Sequence, residues 1–162
     1  MRRSTVRSSF APSVEVLEGR DCPAGISLSN GVLSITGTAA VDTVTVTQDD
    51  ANDQIIVQDG VQTVIFFSHR ASTVSIGLDA GNDQLIYRLA SDYSWVKHIN
   101  VTLGADHDEA TFDFGVNNTH AIRGNLYLSV AGMDGNDTVR ADFGDFVSPS
   151  AAPRLEIGRA HV

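Results

Sequence analysis

The stretch LDAGNDQLIY, Leu78 to Tyr87, decides the fold. It places Gly, Asn and Asp together and then runs into apolar residues at alternate positions. Gly tolerates positive φ, and Asn and Asp bond nearby main-chain groups, so Gly81-Asn82-Asp83 marks a tight turn. The alternation that follows marks a half-buried strand. The same oxygen-bearing residues are also what a calcium-binding turn requires. The residues alone leave both uses open.

Working outward, the stretch is one of four that align without gaps. They are Leu33–Val46 (LSITGTAAVDTVTV), Val74–Tyr87 (VSIGLDAGNDQLIY), Ile99–Phe112 (INVTLGADHDEATF) and Leu128–Ala141 (LSVAGMDGNDTVRA). An aspartate falls at the same place in each: Asp42, Asp83, Asp108 and Asp137. Nine and seven residues earlier stand the aliphatic pairs Leu33/Ile35, Val74/Ile76, Ile99/Val101 and Leu128/Val130. Two residues later come Val44, Leu85, Ala110 and Val139, and four later Val46, Tyr87, Phe112 and Ala141. Each unit therefore reads as strand, turn, strand. The aspartates lie 41, 25 and 29 residues apart. The last two intervals suit one layer of a stacked β-fold, and the first is long enough to hold a further strand pair. Gln54–Gln58 and Val61–Phe67 around Asp59-Gly60 supply it, since Asp-Gly between alternating runs signals a hairpin. Arg88–Lys97 reads as either a short helical turn or a loop, with Leu89, Tyr93 and Trp95 turned inward. The expected fold is all-β: a right-handed parallel β-solenoid, of β-roll or β-helix type, with an added hairpin. The alternative is an antiparallel β-sandwich.

LDAGNDQLI, GADHDEATF and GMDGNDTVR resemble degenerate copies of the hemolysin-type (RTX-like) calcium-binding nonapeptide, G-G-x-G-x-D-x-(apolar)-x. The resemblance implies a calcium-loaded β-roll in which Gly exposes main-chain carbonyls and Asp supplies a carboxylate. Carried over residue by residue, it implies metal ligation by Gly81 and Asp83, Asp106 and Asp108, and Gly135 and Asp137. Asp79, Asn82, Asp134 and Asn136 are auxiliary oxygen donors on the same basis. Three departures stand out. The nonapeptides here are not in tandem, the first copy has lost the Gly before Asp42, and the third carries Asp106 and His107 where Gly and a neutral residue belong. Against the metal reading stands a simpler one, in which the Asp and Asn side chains cap turns and form a solvated ladder.

Charge narrows the partners. The net charge is −9, and from Asp21 to Pro153 there are 17 acidic residues against five basic ones. Such a field repels nucleic-acid phosphates and anionic membranes and favours cations. No apolar run reaches the roughly 18 residues of a transmembrane helix. Cys22 is the only cysteine, which excludes an intrachain disulfide. No nucleophile elbow, phosphate loop or zinc-type His pair is present, and the five histidines show no ligand spacing.

The ends read differently from the body. The four prolines lie outside 24–148, the span that reads as folded. Residues 1–25 form a basic leader expected to lack fixed structure. Leu17, Glu18, Arg20, Pro23 and Ala24 resemble an export leader at the N-terminal part of large planctomycete surface or secreted proteins, which implies an extracellular or cell-surface location. Residues 26–147 are the expected β-repeat domain and 148–155 a linker into further sequence. Residues 156–162 are expected to be an artefact, because Ile157–Val162 matches an in-frame reading of a sequencing adapter. The functional expectation is a non-catalytic, calcium-stabilised scaffold with a structural or adhesive role. Calcium ions are its partners, with cell-surface polysaccharide or other surface proteins beside them. The alternative is the N-terminal fragment of a carbohydrate-active parallel β-helix enzyme.

Overall fold

The computed structural model describes residues 25–93, 97–115, 125–143 and the backbone of 154–158. The leader up to residue 24 and Trp95 lie outside the described residues. Among the described residues there are twelve strands and one short 3-10 turn, Ser68–Arg70. They are β1 (Gly25–Ser29), β2 (Val32–Thr36), β3 (Thr43–Asp49), β4 (Gln54–Asp59), β5 (Gln62–Phe67), β6 (Thr73–Gly77), β7 (Gln84–Leu89), β8 (Lys97–Ala105), β9 (Glu109–Asp113), β10 (Leu126–Asp134), β11 (Thr138–Asp142) and β12 (Arg154–Gly158). The protein is all-β, with two mixed six-stranded sheets in the orders β1-β2-β6-β8-β10-β12 and β11-β9-β7-β3-β4-β5.

Within each sheet the repeat units run parallel and in register. Leu33, Val74, Ile99 and Leu128 lie side by side, as do Ile35, Ile76, Val101 and Val130. On the second sheet Val44, Leu85, Ala110 and Val139 form one row, and Val46, Tyr87, Phe112 and Ala141 another. These are the pairs that the gapless alignment brings together. The chain crosses from the first sheet to the second at each aspartate, from β2 to β3, β6 to β7, β8 to β9 and β10 to β11.

The alternation explains the core. Inward-facing aliphatic and aromatic residues of both sheets, from Leu33 to Val130, make one buried cluster. Each large side chain fully withdrawn from water contributes roughly 1.5–3 kcal/mol. Among the polar groups buried with it, the Tyr87 hydroxyl and the Lys97 ammonium are both hydrogen-bonded. The Tyr87 hydroxyl donates to Gln48 Oε1 at 2.7 Å. Lys97 Nζ donates to the carbonyls of Ser68 at 2.8 Å and Ala71 at 2.6 Å, tying the 3-10 turn to β8. Burial holds the Lys97 ammonium below its ordinary pKa.

The added hairpin is β4–β5, antiparallel on β3. Asp59 pairs with Gln62, so the connection is Gly60-Val61 rather than Asp59-Gly60, with Gly60 at φ +51. Gly as the first residue of a two-residue loop matches strand twist better than Asp would. A second hairpin, β1–β2, turns through Asn30 (φ 51) and Gly31 (φ 79). Leu89 ends β7, and Tyr93 is buried. Strand β12 pairs parallel with β10 and takes in Glu156, Ile157 and Gly158, residues that the adapter match places outside the fold. An open strand edge accepts any extended backbone, whatever its sequence. Among the described residues no helix is long and apolar enough to cross a membrane.

Candidate functional site: the aspartate corners

The four aspartates stand above one another and are joined through the main chain. Asp42 N–H donates to Asp83 Oδ1 at 2.8 Å, Asp83 N–H to Asp108 Oδ1 at 2.8 Å, and Asp108 N–H to Asp137 Oδ1 at 3.2 Å. The carboxylates of Asp83, Asp108 and Asp137 thus each hold the corner of the unit before them. The ladder is buried at three of its four aspartates, Asp42 being 7% exposed, Asp83 2% and Asp108 3%, and half-buried at Asp137. Its physical reason is direct. Where the chain leaves one sheet for the other, a main-chain N–H would otherwise lack an acceptor away from water.

The glycines fit the stacking. A Cβ at Gly104 would lie 1.6 Å from the Asp79 carbonyl oxygen, and one at Gly135 1.5 Å from that of Asp106. Neighbouring turns approach so closely that only hydrogen fits between them. Two positions of each later corner have positive φ. The first holds Asp79 (φ 73), Gly104 (φ 111) and Met133 (φ 73). The second holds Gly81 (φ 129), Asp106 (φ 84) and Gly135 (φ 132). Asp106 therefore keeps the left-handed backbone that Gly provides in its neighbours. The missing glycine of the third repeat changes strain, not shape.

The other carboxylate oxygens behave differently. The Oδ2 atoms of Asp83, Asp108 and Asp137 are buried without a partner. Of the four such side-chain atoms among the described residues, only Asp113 Oδ1 is outside the column. Burial pushes the Asp83 carboxyl up to about 6. The N–H of Asp42 opposes that shift, and the charges of Asp108, Asp42 and Asp79 add to it. Burial also raises Asp108, with Asp137 and Asp106 as charged neighbours. At the first corner the second oxygen has a partner: Asp42 Oδ2 accepts the Thr38 N–H at 2.6 Å.

The remaining predicted ligands are dispersed. Asn82 Oδ1 accepts the His107 N–H at 3.1 Å, which makes it a turn brace. Asp79, Asp106, Asp134 and Asn136 are exposed at the corners. Among the described residues, no three acidic, histidine or cysteine side chains converge on one point. The donor set suits an oxygen-seeking cation only in part. Each later corner offers one orphaned carboxylate oxygen, and at two of them a second acid stands close by. Carbonyl oxygens and water would have to complete a shell of six to eight. The ladder expected from the sequence was a solvated one of side chains; its route through main-chain N–H groups and the part of Thr38 have no place in that expectation. The Thr-x-x-x-Asp spacing of Thr38 and Asp42 is their only sequence signal. Comparison with family models, with curated proteins and with solved structures gives no match.

Proposed function

We propose that the two sheets are opposite walls of a β-solenoid and that the chain is a non-catalytic, calcium-stabilised scaffold at the cell surface or outside the cell, with a structural or adhesive role. In-register parallel stacking of four units supports the architecture, because each unit buries its neighbour. The export-like leader supports the location. The observation that carries calcium is the set of orphaned, buried Oδ2 atoms at Asp83, Asp108 and Asp137. An ionised carboxylate oxygen with no donor is costly in a buried site, and a divalent cation removes that cost. Exposed acids at Asp79 and Asp106 add ligands at the same corners. The column carboxylates also brace main-chain N–H groups, an occupation that suits a structural role better than proton transfer.

Melting the protein in calcium and in chelator tests the proposal. Calcium at a hundred times its dissociation constant should add about 2.7 kcal/mol, read as a raised Tm. The double substitution Asp83→Asn and Asp108→Asn should remove the response while leaving the fold intact by circular dichroism. An identical Tm in calcium and chelator at neutral pH overturns the calcium part. A response that survives the double substitution moves the ion away from the column.

A further inference from the structure

The solvent face of the first sheet is unlike the rest of this acidic protein. Between the corners, β1, β2, β6, β8 and β10 turn no Asp, Glu, Lys or Arg outward. One row across the five strands is Ser27, Ser34, Ser75, Asn100 and Ser129. The next brings Thr36, Gly77 and Thr102 side by side. A third carries His98 and Tyr127, whose rings stack 4.5 Å apart at 6°. Beyond β10, the register of β12 sets Glu156 beside Ser129 and Arg154 beside Tyr127, so the uncharged face is that of the first five strands. Tyr127 is 37% exposed. Among the described residues, none of the Ser, Thr and Asn side chains in these rows is engaged in a hydrogen bond. Between the Thr rows and the corners lies a groove of about 420 Å³, floored by Gly77 and Gly104, with Thr36 and Thr102 beside it and Asp79 and Asp134 at its corner end.

We infer that this face binds a neutral polysaccharide chain. The chemistry matches in three respects. Hydroxyl and amide side chains both donate and accept, as sugar hydroxyls do. They recur at the strand spacing of about 4.8 Å, on the scale of one ring along an extended glycan. An aromatic pair held ready offers an apolar surface to a sugar ring at little ordering cost. The groove's size is that of an ordinary ligand cleft, and its two carboxylates accept from hydroxyls at one end. Charge selects the occupant. A basic partner would be drawn to the carboxylate-rich surfaces, and an anionic one is repelled by the whole molecule. A neutral chain has no such preference and settles where hydroxyls and rings are presented.

This inference rests on the scaffold reading for its extended face and not on calcium. The test is electrophoresis of the full chain through native gels containing glucomannan, xyloglucan, dextran or soluble amylose, with alginate and heparin gels beside them. At least one neutral gel should retard the protein, and the anionic gels should not. Tyr127→Ala and Asn100→Ala, each checked for an unchanged melting curve, should weaken that retardation at least tenfold. Retardation by no neutral polysaccharide, stronger retardation by an anionic one, or equal retardation of the variants overturns the inference. Running the gels in calcium and in chelator separates the two readings, since loss of the calcium response alone leaves glycan retardation in place.

Discussion

At the first corner, Thr38 gives its main-chain N–H to Asp42 Oδ2, and its hydroxyl lies 3.3 Å from both carboxylate oxygens. At the second corner, the position of Thr38 is taken by Asp79, an acid that repels Asp83 instead of donating to it. Asp83 Oδ2 is left without a partner, as are those of Asp108 and Asp137. The backbone differs in parallel. Positive φ occurs at two positions in each of the three later corners, while Thr38 and Ala40 are not among the residues that adopt it. A closed corner and three open ones thus stand in one column. The difference teaches that the aspartate has two separable tasks. One oxygen braces the neighbouring unit wherever a neighbour precedes. The other is either satisfied within its own turn or left buried without a hydrogen-bond partner.

The largest effect expected from that contrast is steric. Gly104→Ala and Gly135→Ala should each cost about 3 kcal/mol or more in urea denaturation, because main-chain atoms must move apart. Gly77→Ala, with open space around its Cβ and no positive φ, should stay within about 0.5 kcal/mol of the parent. Equal costs at the two kinds of glycine would break the stacked-turn picture.

Next comes the brace. Asp83→Ala removes the acceptor of a buried N–H and should cost about 1–3 kcal/mol. Asp83→Asn keeps an acceptor oxygen and discards the charge, so without divalent cations it should match or exceed the parent at pH 7. Asp42→Asn should instead cost about 1 kcal/mol, since it weakens a charge-assisted bond from Thr38. The pair of amide substitutions, compared by thermal melting in chelator, sharpens the distinction between open and closed corners.

A pH scan follows from the same contrast. The folded state holds the Asp83 proton up to about pH 6, whereas an unfolded aspartate releases it near 3.8. Between these values the folded state binds more protons, so this contribution to stability is full below about pH 4 and is lost as pH rises through 6. Melting in chelator should show the loss in the parent, and Asp83→Asn should flatten it. Smallest is the strain at Met133, half-exposed at φ 73. Met133→Gly should gain about 1 kcal/mol, measured by the same denaturation.

The register of the units was legible because apolar residues at period two, offset by fixed distances from an aspartate, leave only one gapless match. Asp83 and Asp108 were legible as corner residues for the same reason. The hairpin β4–β5 was visible from its alternation, although the turn itself sits one residue later than Asp-Gly suggested. The β1–β2 hairpin carried an Asn-Gly signal at Asn30-Gly31, but only Ile26 and Leu28 alternate before it, too short an apolar run to stand out from the leader. The buried setting of Lys97 was not visible. Its partners are carbonyls of a turn some thirty residues earlier, and carbonyls have no side-chain signature. The main-chain route of the ladder was hidden likewise: an aspartate that accepts from the main chain of another unit looks like one that caps its own turn.

The ladder also has a direction. Every rung between units runs from a main-chain N–H to a carboxylate that comes later in the chain, never the reverse. A lesion is therefore felt upstream of where it is made. Removing the carboxylate of Asp137 bares the amide of Asp108, and removing that of Asp108 bares the amide of Asp83. Hydrogen exchange across such a series would show each unit's corner loosened by a change encoded some twenty-five to forty residues further along, so the stack is held shut from its far end.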